Sequence, residues 1–313
     1  MNWPGYIKPE EDEIFTSWFY RLCKEHRIKS HTFSKFFFDG LPIWNRDIDQ
    51  YCPEIIKRKI SEHTPLSKDR IENLFLSSFD GIVFNDVIST KSLLSIGINH
   101  RKRRKFGLLY CIGCLEKEVK FFKKSWRLTS SLVCLECSLK LLDSCPHCNS
   151  PIAFHRLENG IKGKIPENDL NSCYKCLRDI TKTDKIYADD DSIKYQKYIN
   201  NTIDFGFNDL TQYSFTFFSV LHELEHKLYS RSKKWNKFRI EVEKYRSISM
   251  LNKNLNRIKS REESLLITYE LLESWPQKFI NFLSGRKLTY SDFSKDFRDI
   301  PPFWFSNVLK FNI

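Results

Sequence analysis

Apolar residues recur along this chain at spacings that mark helices. Phe15, Trp18, Phe19 and Leu22 fall at i, i+3, i+4 and i+7, one buried stripe of an amphipathic helix. A short polar break around 28–30 follows. Phe33, Phe36 and Phe37 then predict a second amphipathic stretch, its phenylalanines in the core, ending at Asp39-Gly40. A helix of about 12 residues, a turn of three or four and a second helix fit a helix-turn-helix, and plain packing in a helical bundle gives the same spacing. After "TPLS", Ser67 is placed to cap a further helix with Ile71, Leu74 and Phe75 on its inner face.

The last third reads as helical throughout. "FTFFSVLHELEHKL" carries a helical apolar period through Phe217, Val220, Leu221, Leu224 and Leu228. Ser260 and Glu263 have the spacing of a capping box ahead of "SLLITYELLESW". Trp275-Pro276 predicts a new helix with proline in its first turn, and Gly285 its stop. "DIPPFWF" is an aromatic segment expected to dock on a core or a partner. The acidic "ADDDS" at 188–192 reads as a disorder-like boundary. The chain therefore divides into three: an N-terminal helix-turn-helix domain over 1–100, a cysteine-bearing segment over 101–187, and a C-terminal helical domain over 188–313. At 313 residues, two or three domains are expected.

Composition supports order: 41% of residues are hydrophobic and 15% aromatic, at a mean hydropathy of -0.46. Net charge is +12, which draws a protein to polyanions through counterion release and equally suits a solvated basic surface. The charge concentrates in "RKRRK", Arg101, Lys102, Arg103, Arg104 and Lys105. Five consecutive cations repel one another, so the run is expected to be exposed and to contact phosphate, or else to serve as a solvated linker. The start "MNWPGYIKPEEDE" lacks a signal-peptide pattern, and no apolar run approaches the roughly 20 residues that span a bilayer. A cytoplasmic protein without a membrane partner is expected, and a reducing compartment favours metal over disulfides for clustered cysteines.

Eight cysteines stand in four C-x2-C pairs: Cys111/Cys114, Cys134/Cys137, Cys145/Cys148 and Cys173/Cys176. Each pair can form a knuckle that presents two thiolates to one ion, and two knuckles complete a tetrahedral zinc site. Two structural Zn²⁺ ions per chain follow, within a tandem zinc-ribbon or zinc-finger module. Sequential pairing (first with second, third with fourth) is the simpler arrangement, and a crossed one has compatible spacing. Four thiolates saturate tetrahedral zinc, so stapling is expected here, not catalysis. Cys23 and Cys52 stand alone, as small buried side chains.

"HELEH", His222 to His226, matches the H-E-x-x-H pattern of zinc metalloproteases. Glu225 between the histidines and the lack of an identifiable third ligand favour an ordinary amphipathic helix. The chain has no phosphate loop and no nucleophile elbow.

"EDEIFTSWFYRLCKEHRIKSHTF" resembles the N-terminal segment of TniQ proteins, where an acidic residue precedes a "SW.YRL" helix and an "HTF" helix. "GLLYCIGCLEKEVKFFKKSWRLTSSLVCLECSLKLLDSCPHC" is similar to that family's zinc segment, with Trp126-Arg127-Leu128 as its central "WRL". "ITYELLESWPQKFINFL" resembles its C-terminal "L..WP..F" stretch. The family commonly has histidine where this chain has Cys137, and cysteine is competent there. The resemblance implies a non-enzymatic adaptor of bacterial transposons related to TnsABC systems. Implied partners are a Cascade-type CRISPR ribonucleoprotein, an AAA+ regulator of TnsC type, DNA or guide RNA, and a second copy in a homodimer. A TnsD-like member that binds its attachment site directly is the alternative within the family, and a metalloprotease the alternative outside it. The overall expectation is a mainly α protein.

Overall fold

The structure, a computed structural model, describes residues 2–86, 90–99, 102–158, 169–229, 236–250, 257–294, 297 and 300–312. It is mainly helical, with two short two-stranded antiparallel ribbons among the described residues. Two compact units emerge, one formed by Met1–Asp80 with Leu93–Ala188, the other by Gly81–Ser92 with Asp189–Ile313.

The first unit holds α1 (Phe15–Glu25), α2 (Ser30–Phe37), α3 (Glu54–His63), α4 (Lys68–Glu72), β1 (Ile98–Asn99), β2 (Lys102–Arg103), α5 (Ile112–Leu115), β3 (Val133–Cys134) and β4 (Leu139–Lys140). The α1 stripe is fully buried: Phe15 stacks on Phe75 at 4.8 Å between ring centroids, and Phe19 meets Phe33 edge-on at 5.6 Å. One expected core residue faces solvent. Phe36 is 71% exposed, and Phe38 is buried in its stead against Trp3 and Phe19. The cause is the end of α2 at Phe37. Phe38 leaves helical geometry, at φ -118°, ψ 32°, and turns into the core. Ser67 does cap α4, accepting from Arg70 N–H at 3.2 Å. That helix is only five residues long, so Leu74 and Phe75 are buried beyond its end.

The second unit holds α6 (Asp190–Phe205), α7 (Ser214–Tyr229), α8 (Lys237–Arg246), α9 (Ile258–Leu272), α10 (Gln277–Leu283), α11 (Tyr290–Ser294) and α12 (Phe303–Asn312). The five apolar positions read on α7 are all fully buried, and α7 packs on α8 and α9. "ADDDS" is a helix start: Asp189 caps α6 by accepting from Ser192 N–H at 2.9 Å, and Asp190 and Asp191 complement the helix dipole in its first turn. The capping box does not form, because α9 begins earlier, after Arg257, and Ser260 lies inside its first turn. Pro276 sits at the N-cap of α10, behind a cis peptide bond from Trp275, and Gly285 follows the helix end at φ +74°. The aromatic segment docks on the core of its unit, with Phe305 5.8 Å from Trp275 and 5.7 Å from Phe279. No helix among the described residues is long and apolar enough to cross a membrane.

Candidate metal centres and the frame that holds them

The four cysteine pairs converge as two groups of four, each with its sulfurs within 4.8 Å of one another: Cys111, Cys114, Cys134, Cys137, and Cys145, Cys148, Cys173, Cys176. The pairing is sequential, because the chain returns on itself locally. Tyr110 and Leu142 exchange backbone hydrogen bonds at 2.9 Å, and β3 pairs with β4, which sets the second knuckle beside the first. Within the first group Cys114 Sγ lies 3.5 Å from Cys134 Sγ and 3.7 Å from Cys137 Sγ. In the second, Cys145–Cys176 and Cys148–Cys173 are 3.7 and 3.6 Å apart.

A tetrahedral zinc with bonds of about 2.3 Å spaces its sulfurs about 3.8 Å apart, so both donor sets fit the ion. The thiols alone do not share this space comfortably. Hydrogen bonding with Cys111 and then Cys134 pushes the Cys114 thiol far above its ordinary value, while hydrogen bonds from Cys111 and Cys114 pull Cys134 well below it. A divalent cation would replace those shared protons. It would be held by sulfur on all four sides, and its contribution would be to staple loops, with no position left for water. Cys23 is buried and Cys52 half-buried, and neither joins a group among the described residues.

One residue of the first site went unnoticed in the sequence. Gly113, inside the first knuckle, faces Cys137: a Cβ there would lie 2.8 Å from Cys137 Sγ and 3.2 Å from its Cβ. The signal available was the choice of glycine within "CIGC", in a chain with only 10 glycines.

The metal segment shares its core with the N-terminal helices. Asp12 accepts from Ser125 N–H at 3.3 Å and from its hydroxyl. Buried Glu13 accepts from Ser17 Oγ at 2.9 Å and pairs with Arg21 at 2.5 Å, and Ser17 Oγ in turn accepts from Phe122 N–H at 3.0 Å. Burial outweighs the Arg21 charge and lifts Glu13 to about 7. Trp126, Arg127 and Leu128 are all buried. The Arg127 guanidinium forks onto Asp47, at 2.6 and 3.3 Å, donates to the Leu94 carbonyl at 3.0 Å and lies 3.6 Å from Asp49. Asp49 accepts from both Thr16 N–H and Oγ1 of α1, at 2.9 and 2.8 Å. Burial, then the neighbouring Asp47 charge, raise Asp49 to about 6 against the pull of Arg127. Farther on, the Glu158 carboxylate accepts from Ser30 N–H at 2.9 and 3.0 Å and from Ser30 Oγ at 2.6 Å, closing the start of α2.

The basic run is not uniformly exposed. Lys102, Arg104 and Lys105 face solvent, but Arg103 is buried and donates to the Trp44 carbonyl at 3.3 Å; Arg101 lies outside the described residues. A single cation can enter the core because a carbonyl and the nearby Asp47 and Asp49 compensate it. In "HELEH", His222 is buried with Nδ1 3.5 Å from Glu225, Glu223 pairs with Lys91 at 2.8 Å, and His226 is exposed.

No curated protein matches this chain. A family model described as TniQ matches residues 4–141, a span that includes α1 to β4 and the first cysteine group and stops before the second. Over those residues the chain is similar to the TniQ family, whose role is in selecting targets for transposition.

Proposed function

We propose that this chain is a non-enzymatic adaptor that links an RNA-guided Cascade-type ribonucleoprotein to an AAA+ regulator of TnsC type and its transposase. The start of α2 carries this reading. In helix-turn-helix proteins that read DNA, the N-terminal residues of the second helix reach base edges in the major groove. Here that end is enclosed: Ser30 is buried, Glu158 places a carboxylate on it, Trp44 Nε1 donates to Ser30 Oγ at 2.9 Å, and His155 stacks on Trp44 at 4.5 Å. A negative, covered helix end repels phosphate. The open side of α2 offers Thr32, Lys35 and the exposed Phe36, a mixed surface suited to protein.

The α1–α2 pair would therefore dock on the partner complex, the two zinc sites would hold the frame, and the basic run would touch the backbone of DNA or guide RNA. The protein would act as a homodimer in the bacterial cytoplasm, with work divided among residues 1–100, 101–187 and 188–313. The exposed cations beside the metal segment favour one second reading, a TnsD-like protein that binds its site directly. Co-purification with a Cascade-type complex and an AAA+ regulator of TnsC type, together with anisotropy on DNA duplexes without partners, separates the two. A stable ternary assembly with no nanomolar preference for any one duplex is expected. Such a preference in the isolated chain would favour direct site reading instead.

A further inference from the structure

We infer that the ribbon β1–β2 is the element that meets a nucleic-acid backbone, presenting Lys102, Arg104 and Lys105 to phosphates while Arg103 serves as the positioning residue that anchors it. This rests on the phosphate contact proposed above and assigns separate roles within that run.

Successive side chains of a strand point to opposite faces, so a run of cations in a ribbon sorts into an inner and an outer set. Ile98 pairs with Arg103 and Asn99 with Lys102. The ladder continues past the strands, with Arg104 N–H on the Gly97 carbonyl at 3.0 Å and Lys105 N–H on the Ile96 carbonyl at 3.3 Å. Arg103 turns inward to the Trp44 carbonyl, and its neighbours Lys102 and Arg104 turn out. These two stand about 6.8 Å apart along the strand, a spacing that lets each meet a different phosphate. Lys105 is seated separately. Gly97, at φ +55°, leaves room for its stem, since a Cβ there would lie 2.7 Å from Lys105 Cγ.

The partner's charge follows from what surrounds these cations. Elsewhere in the same unit basic side chains are compensated, as in Arg21–Glu13, Lys57–Glu72 and Lys120–Asp169. Among the described residues, no carboxylate pairs with Lys102, Arg104 or Lys105. Three uncompensated cations on one built ribbon hold counterions that a polyanion would release, and the released ions drive binding. Burial lowers the Arg103 guanidinium to about 10, while the charges of Asp47 and Asp49, the acids that pair with Arg127, pull it back up, so it enters the core still charged.

The zinc-loaded full chain is titrated against a fluorescein-labelled DNA duplex and a labelled RNA strand, both of arbitrary sequence, across a salt series, with amide exchange at Arg104 and Lys105 measured in parallel. Each phosphate contact contributes about 0.9 to the slope of log K against log salt on duplex DNA and about 0.7 on a single strand. Replacing Lys102, Arg104 and Lys105 by glutamine should flatten the duplex slope by roughly 2–3. Arg103→Met should weaken binding several-fold, keep the slope, and lose exchange protection at Arg104; Arg103→Lys, which retains a donor for the Trp44 carbonyl, should restore both. A slope that falls by about one contact in Arg103→Met with exchange unchanged would make Arg103 a phosphate ligand and overturn its anchoring role. A triple variant that binds like the wild type would move the interface elsewhere on the chain. If the wild type binds neither probe at low salt, the phosphate contact itself is wrong, and exchange in Arg103→Met still decides whether that residue anchors the ribbon.

Discussion

Replacing Arg127 by methionine should unfasten the metal segment from α1, with a cost set by the acids left behind. The guanidinium is 1% exposed and neutralises Asp47, itself nearly buried, with Asp49 beside it. Removing one partner of a buried ion pair leaves an uncompensated charge and costs about 3–5 kcal/mol. The Leu94 carbonyl loses its donor as well. At about 4 kcal/mol, local opening becomes roughly a thousandfold more frequent. The pH dependence has a definite sign. Asp49 in the folded chain sits at about 6, above its unfolded value, so it destabilises the fold progressively as pH rises through that range and not at all well below it. Arg127 pulls Asp49 down, so its loss moves Asp49 further up and widens the window of penalty. The deficit of Arg127→Met should therefore be largest near pH 8 and shrink toward pH 5, where Asp49 carries a proton. Asp49→Asn in the methionine background should recover much of the loss.

The Thr16 amide reports this locally, because its N–H is bonded to Asp49 Oδ1. Exchange at that amide, at fixed free zinc, measures the opening without requiring the whole chain to unfold in one step. Loss of protection by less than tenfold at pH 8, or a deficit that grows on acidification, would mean that the buried acids are compensated by something other than Arg127.

Gly113→Ala should disturb one zinc site and spare the other, since its Cβ would press on Cys137 Sγ. Wild type should carry two zinc ions per chain, and chelator-driven release should become biphasic with one fast phase in the variant; superimposable release curves would contradict the close approach. Phe33→Ala should cost about 3–5 kcal/mol and Phe36→Ser less than about 0.5, because only the first is buried. Thermal melts of the two variants settle this, and equal losses would mean that α2 is rotated from the orientation described.

The parts legible in the sequence were those set by neighbours a few residues apart. A C-x2-C knuckle is closed by its own turn, so all eight clustered cysteines could be named, and the α7 stripe follows from helical period alone. Sequential pairing of the knuckles stayed open because it depends on Tyr110 meeting Leu142 across the segment. That Phe36 faces solvent and Phe38 the core was not legible, because apolarity does not mark where a short helix ends. Arg103 and Arg127 were harder still. Each is a cation whose burial needs compensating groups far along the chain, Trp44 for one and Asp47 and Asp49 for the other. This difference bears on what a "WRL" between cysteine pairs does. The cysteines can hold metal without Arg127, but nothing in their chemistry orients α1. Asp12, Glu13, Asp49 and Arg127 supply that orientation, and all four lie within the 4–141 span that defines the family match. A chain with the same eight cysteines and neutral residues at these four positions should still load two zinc ions, yet present its helix pair to a partner in no fixed direction.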